Sequence, residues 1–308
     1  MSDFQLLSGM EGCCGLCLER QPLQESHFVP AFAFKWLKAT SATGHIRFGE
    51  NPNRRVQDGI KRPLLCAKCE ALFNSFETPF ATKIFYPILD QPAKRVGYQG
   101  WMLKFAASLS WRVLAFAELR RSLAVDSSES ENVQKAFLTW SQFLKGERTH
   151  PEEFEQHLLP LGLIEDISSP DVPDNINRYF MRAIDTDIAF SHGLSFTYVK
   201  LGPFAFFGFL KRPVFRWGGS KISVRFGSIE PRRLTLPLNL QNYLFDRSKN
   251  YGEIEYRMSQ TQVDKVEQTV LRDIDRVLSS HQFEAMKRDA EMFGEQAIIR
   301  KESKRRGD

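Results

Sequence analysis

Apolar and polar positions alternate differently in successive stretches of the chain. Trp101, Phe105, Leu109, Val113 and Phe116 recur at three- to four-residue steps, which predicts a helix over 101–122. The polar run 126–132 offers capping groups for a second helix over 133–144. Pro151-Glu152-Glu153, a proline followed by two acids, has the composition of a first helical turn and predicts another helix start. Residues 168–174 carry two prolines and predict a connector. From Ile188 to Leu238 the texture changes. Phe196–Val199, Phe204–Phe209 and Ile222–Phe226 are aromatic and β-branched, with Gly and Pro between them, and predict antiparallel strands. Val263, Val266, Val270, Ile274 and Val277 form one stripe of a helix over 262–278.

Nearer the N-terminus the pattern is shorter in range. His27–Lys38 predicts a brief helix opened by Pro30, with Phe32, Trp36 and Leu37 as its apolar positions. Residues 39–62, which include Gly44, Gly49, Pro52 and Gly59, predict loops and short strands, and a further helix is expected to begin at Glu70. The expected class is α+β in three parts: a cysteine-bearing unit over 1–95, a helical region over 96–185, and over 186–308 an antiparallel β segment with a C-terminal helix and basic tail.

Hydrophobic content of 42% beside 26% charged residues fits a soluble globular protein, and 26 Phe point to aromatic-rich cores rather than disorder. A formal charge of +5 is compatible with a polyanionic partner without requiring one, and several of the cations lie in the tail 300–306. No secretory leader is evident, no run approaches the length of a membrane helix, and the cysteine usage fits a reducing compartment. A cytoplasmic location and no membrane partner are therefore expected.

The cysteines change the picture most. Cys14-Gly-Leu-Cys17 and Cys66-Ala-Lys-Cys69 are two matched pairs, each able to present two thiolates from a tight turn, and together they predict a structural zinc site. Cys13 could stand in for Cys14, but the Cys14/Cys17 spacing repeats that of the second pair. The insert of about 48 residues between the pairs is longer than a zinc ribbon needs and holds Glu25-Ser26-His27-Phe28-Val29-Pro30.

A zinc turn, a His at a strand end and a second zinc turn opening a helix form the plan of a treble clef. Here residues 10–80 resemble the HNH endonucleases, whose ββα-metal core is braced by four cysteines. Cys14/Cys17, His27 with Pro30, and Cys66/Cys69 match that family's positions. The resemblance implies hydrolysis of DNA phosphodiesters. His27 would be the general base, since an imidazole exchanges protons near neutral pH. Glu70 would be a ligand of a catalytic Mg²⁺ or Mn²⁺, with Asp58 (beside Gln57) and Asn74 as further oxygen donors and Glu77 one more turn along. Family members with long extensions imply a role in bacterial defence against foreign DNA. Arg54, Arg55, Lys61 and Arg62 could contact phosphates or form a solvated loop face.

Two positions depart from the family. Ser26 stands where an acidic ligand is usual, and Glu70 replaces a His or Asn. The alternative is therefore a non-catalytic zinc module for protein or nucleic-acid contact, and the C-terminal two thirds could serve a protein partner or self-association.

Overall fold

The computed structural model describes residues 11–91, 95–119, 127–164, 170–191, 194–213, 215, 217–230 and 236–298. In chain order these begin with β1 (Glu11–Cys13), β2 (Arg20–His27), α1 (Ala31–Ala39), β3 (Ile46–Phe48), β4 (Asn51–Val56), β5 (Lys61–Cys66) and α2 (Ala67–Phe80). α2 runs through a π-helical stretch, Ala81–Phe85, into α3 (Tyr86–Asp90), and β6 (Val96–Gln99), α4 (Trp101–Leu119) and α5 (Ser127–Lys145) follow. Next come β7 (Gln156–Pro160), α6 (Ile176–Arg182), β8 (Ile184–Ser191), β9 (Leu194–Leu201), β10 (Phe204–Phe209) and β11 (Phe226–Ile229). The chain closes with α7 (Leu238–Tyr256), α8 (Gln260–Arg272), α9 (Ile274–Leu278) and α10 (His281–Phe293). Every described strand pairing is antiparallel, and helices and small sheets alternate irregularly, so the class is α+β.

Contacts group the chain into two compact units that interleave in sequence. The first draws on Met1–Phe32, Gly59–Pro160 and Ile184–Leu234, and the second on Ala33–Asp58, Leu161–Ala183 and Thr235–Asp308. This grouping runs across the division at 95 and 185 drawn from the sequence.

In the first unit, α4 is buried on almost every side, not along one stripe. α2, α5 and the sheet of order β7-β10-β9-β8 all pack against it. β9 and β10 are buried along their whole length, which explains their near-continuous apolar sequence. The phenylalanines meet at this junction. Phe80 stacks on Phe105 at 4.2 Å between centroids and meets Phe204 and Phe206 edge-on at 5.6 and 5.5 Å. Nearer the cysteines, Trp111 packs edge-on against Phe73 at 5.4 Å and donates its indole N–H to Ser141 Oγ at 2.8 Å.

Polar groups also cross this core. Gly208 in β10 leaves room for Ser110, Thr197 and Gln156. A Cβ at that position would lie 2.1 Å from Ser110 Oγ, 2.7 Å from Thr197 Oγ1 and 2.8 Å from Gln156 Nε2. Gly208→Ala is expected to destabilise the first unit by about 1–3 kcal/mol, the usual cost of overpacking, read as a lower urea midpoint with an unchanged slope.

In the second unit, buried polar groups join residues far apart in sequence. Asp289, fully buried, accepts from the backbone N–H groups of Asn177 (2.9 Å) and Arg178 (3.2 Å) at the start of α6, and from Arg178 Nε at 3.0 Å. Burial raises the Asp289 carboxyl above its ordinary value, against the opposing pull of those donors. Arg182, almost fully buried, lies over the Trp36 ring at 4.7 Å and donates to Leu37 O and Thr40 Oγ1, where α1 ends. Burial brings its guanidinium down to about 10.

Several expected elements differ. Pro151–Glu153 does not open a helix. Glu152 adopts φ +57, its N–H bonds to His150 Nδ1, and the chain turns into β7, whose pairing with β10 outcompetes the local helix signal. Of Ile222–Phe226 only Phe226 is in a strand, β11, which pairs with the unanticipated β6. The helix over 262–278 breaks at Asp273 (φ −145, ψ 71) into α8 and α9, and neither half has a fully buried residue. α6, α7 and α10 lacked a clear stripe in the sequence. The tail 300–306 lies outside the described residues. Among the described residues, no helix is long and apolar enough to cross a membrane.

Candidate functional site

β2 and β5 pair antiparallel, and β5 leads directly into α2, so the site is an antiparallel strand pair feeding a helix. The four cysteines lie where these elements meet. Cys14 and Cys17 flank the turn after β1, which Gly15 N–H ties to Leu64 O and Leu18 N–H ties to Cys14 O, both at 2.9 Å. Cys66 ends β5 and Cys69 lies in the first turn of α2. Their sulfurs lie within 4.8 Å of one another. Cys17 and Cys66 are separated by 3.9 Å between sulfurs, close to the ~3.8 Å edge of a tetrahedron built on Zn–S bonds of ~2.3 Å. All four are free thiols, so the closeness is not that of a disulfide.

The electrostatics favour a cation at this point. Burial raises the Cys14 thiol, but the backbone N–H groups of Cys66, Cys17 and Leu16 outweigh it and bring the group down to about 7. The Cys66 N–H reaches Cys14 Sγ at 3.3 Å. Burial and the neighbouring sulfurs push Cys69 up, and burial also raises Cys17. Four thiols in this setting cannot all ionise without a counter-charge, which a divalent ion supplies. The four cysteines therefore form a site able to hold a metal such as zinc. Cys13 is not part of it: its exposed thiol donates to Leu18 O at 3.3 Å.

The other expected site residues divide between the units. His27, the last residue of β2, is half-buried and sits opposite Lys61 of β5 in the strand register, with Ser26 opposite Arg62. Lys61 and Arg62 thus lie on the strand paired with that of the candidate base. Glu70, in the first turn of α2, accepts a hydrogen bond from Ser26 Oγ at 2.8 Å. Ser26 is fully buried and its Oγ also accepts from Leu65 N–H at 3.3 Å. A register shift between Gln24 and Glu25 places both Leu23 and Ser26 at buried positions despite their odd spacing. Asn74 is exposed one helical turn beyond Glu70. Glu77, another turn on, is not available to the site, because it is paired with the buried Arg112 of α4. Asp58, Arg54 and Arg55 belong to the second unit, whereas His27, Glu70 and Asn74 belong to the first.

Comparison with protein families, with curated proteins and with solved structures finds no match to this chain. The site is therefore read from its own geometry. Its least expected member is Ser26. A Ser before the candidate His and a Glu after the second cysteine pair are visible in the sequence, but their bond depends on how β2 meets α2.

Proposed function

We propose that the chain is a metal-dependent endonuclease acting on DNA, with a zinc-braced ββα core. The Ser26–Glu70 bond carries the reading, since it fixes the first turn of α2 to the residue before His27. The hydroxyl occupies one carboxylate oxygen of Glu70, and among the described residues the other has no hydrogen-bond donor. A single oxygen from Glu70 and the exposed Asn74 amide suit a hard cation that keeps several waters, so Mg²⁺ or Mn²⁺ fits the donor set. When bound, such an ion supplies charge stabilisation to the scissile phosphate and its leaving oxygen. The protein's own part is twofold: His27 takes the proton of the attacking water on its imidazole, and Lys61 and Arg62, on the paired strand, hold the DNA by its phosphates. A cytoplasmic role in defence against foreign DNA fits a nuclease with a large second unit.

A second reading, a non-catalytic zinc module, draws on a specific observation. Among the described residues the four cysteines are the one group of His, Cys, Asp and Glu side chains converging on a point. Cleavage of supercoiled and linear DNA by wild type and His27→Ala, with Mg²⁺ and with Mn²⁺, separates the two. The expected result is a loss of roughly 10²–10⁴-fold in the variant, at unchanged zinc content. Absence of cleavage by wild type with either ion supports the module, and equal cleavage by the variant removes His27 from the chemistry.

A further inference from the structure

The second unit gathers positive charge around a histidine at a place the nuclease reading does not use. β3 and β4 form a hairpin in which Arg47 and Arg55 stand directly opposite each other, and like charges in that position repel. Arg276 of α9 reaches back to the end of α1, donating from Nε to Ser41 O at 3.2 Å and from Nη2 to Lys38 O at 3.4 Å. Its guanidinium lies close to Gly44, where a Cβ would come 3.1 Å from Nη2 and where the φ of +69 favours glycine. Lys38 points its ammonium at Gln57, 3.4 Å from both the backbone and the side-chain oxygen. Arg47 is fixed by Pro52 O at 2.8 Å and Gln262 Oε1 at 3.1 Å.

The partners of Lys38, Arg47 and Arg276 are neutral oxygens. No ion pair joins these three or Arg55 to a carboxylate among the described residues, and Asp273, three residues before Arg276, caps α9 by accepting the Arg276 backbone N–H. His45 stands among them with Nδ1 buried and without a hydrogen-bond partner. Burial, and then the charges of Arg55, Arg47, Arg276 and Lys38, hold its imidazole below the usual histidine range. Burial and Arg55 likewise depress Arg47. Cations without a carboxylate partner, three of them held by neutral oxygens, beside a buried ring nitrogen with no partner, form a site whose missing component is an anion.

We propose that this cluster binds the phosphate groups of a nucleic-acid strand, with Lys38, Arg47, Arg55 and Arg276 supplying charge and His45 a ring nitrogen. The phosphodiester, in place of a free phosphate, rests on the reading of the protein as a DNA-acting enzyme. Guanidinium groups from a hairpin and a helix end suit the non-bridging oxygens of such a group. The second unit would then hold nucleic acid independently of His27.

The test is anisotropy of a labelled DNA, duplex and single strand, titrated with full-length protein in EDTA over a salt series. All proteins carry His27→Ala, so that binding is read apart from cleavage. Each phosphate contact contributes about 0.9 to the log–log salt slope, or roughly eightfold in affinity at 0.1 M salt. Arg55→Gln, whose side chain holds no other group, is expected to lower the slope by ~0.9, and Arg55→Gln with Lys38→Gln by ~1.8, at unchanged zinc content and thermal midpoint. Wild-type affinity and slope in the double variant overturn the proposal. Binding of inorganic pyrophosphate without binding of DNA overturns the strand assignment. DNA binding that falls in the variants, when the His27-bearing protein shows no cleavage, upholds this site while removing the nuclease.

Discussion

Cys66→Ser is expected to purify without zinc and to lose amide protection through residues 11–27, while the aromatic core around α4 stays folded. Cys66 is fully buried where β5 becomes α2, and its sulfur is one of four within 4.8 Å. Serine offers a hydroxyl that is not ionised at neutral pH and is a poor ligand for a borderline-soft ion, so the tetrahedral set fails as a whole. Binding of a structural Zn²⁺ is worth about 10–16 kcal/mol in small zinc-folded peptides, and much of that is folding energy. Here it falls on a short arm, because β1, β2 and the turn between them contribute only a few buried apolar side chains, chiefly Leu16 and Leu23. Phe80, Phe105, Phe204 and Phe206 form a core that does not involve the sulfurs. Hydrogen exchange, with metal content measured on the same sample, reads the result. The backbone N–H groups of Gly15 and Leu18, which bond to Leu64 O and Cys14 O, should exchange fast in the variant. Retained zinc, or unchanged protection at those amides, would show that the cysteines are not what holds the arm.

This metal site was legible because its signal is local. Two residues between paired cysteines fix a turn, and the turn fixes where both sulfurs point, whatever surrounds it. The same holds for α4, whose stripe spans many turns, and for α1 behind Pro30. What escaped the sequence was non-local. Pro151-Glu152-Glu153 has a helix-opening composition, yet Gln156–Gly208 pairing with a strand some fifty residues away decided its fate. Asp289 carries no local signal of its role, yet it is the buried cap of α6, more than a hundred residues upstream. The stripe from Val263 to Val277 is real at the level of spacing, but a non-helical Asp273 interrupts it, and an i, i+3, i+4 pattern carries no information about a break between turns. The candidate site shows the same division. Its cysteines, His27 and Glu70 were read from the chain, while the hydroxyl that anchors Glu70 and the cation that removes Glu77 were set by packing.

That removal of Glu77 leads to the second large effect. Glu77→Ala is expected to destabilise the first unit by about 3–5 kcal/mol, the cost of leaving a buried charge without its partner. Arg112 is almost fully buried, with its guanidinium 4.7 Å from the centre of the Phe73 ring. Its Nη2 donates to Glu77 Oε1, whereas Nε and Nη1 are buried with no hydrogen-bond partner. Glu77 is therefore the one group balancing this cation among the described residues, and the Phe73 ring alone, worth about 2 kcal/mol in a desolvated setting, does not replace it. For a unit of this size the loss corresponds to a fall in Tm of roughly 6–20 °C. Arg112→Met added to Glu77→Ala should restore most of it, since replacing a buried ion pair by apolar groups is often near neutral. A Glu77→Ala protein that melts within a degree or two of wild type would mean that solvent reaches Arg112. The pair also ties α2 to α4, and α2 carries Cys69 and Glu70 in its first turn. If the Ser26–Glu70 bond is what orders the strand end for chemistry, the double variant should recover cleavage together with stability. Recovery of stability alone would show that α2 needs the charge pair for its placement and not only for its folding.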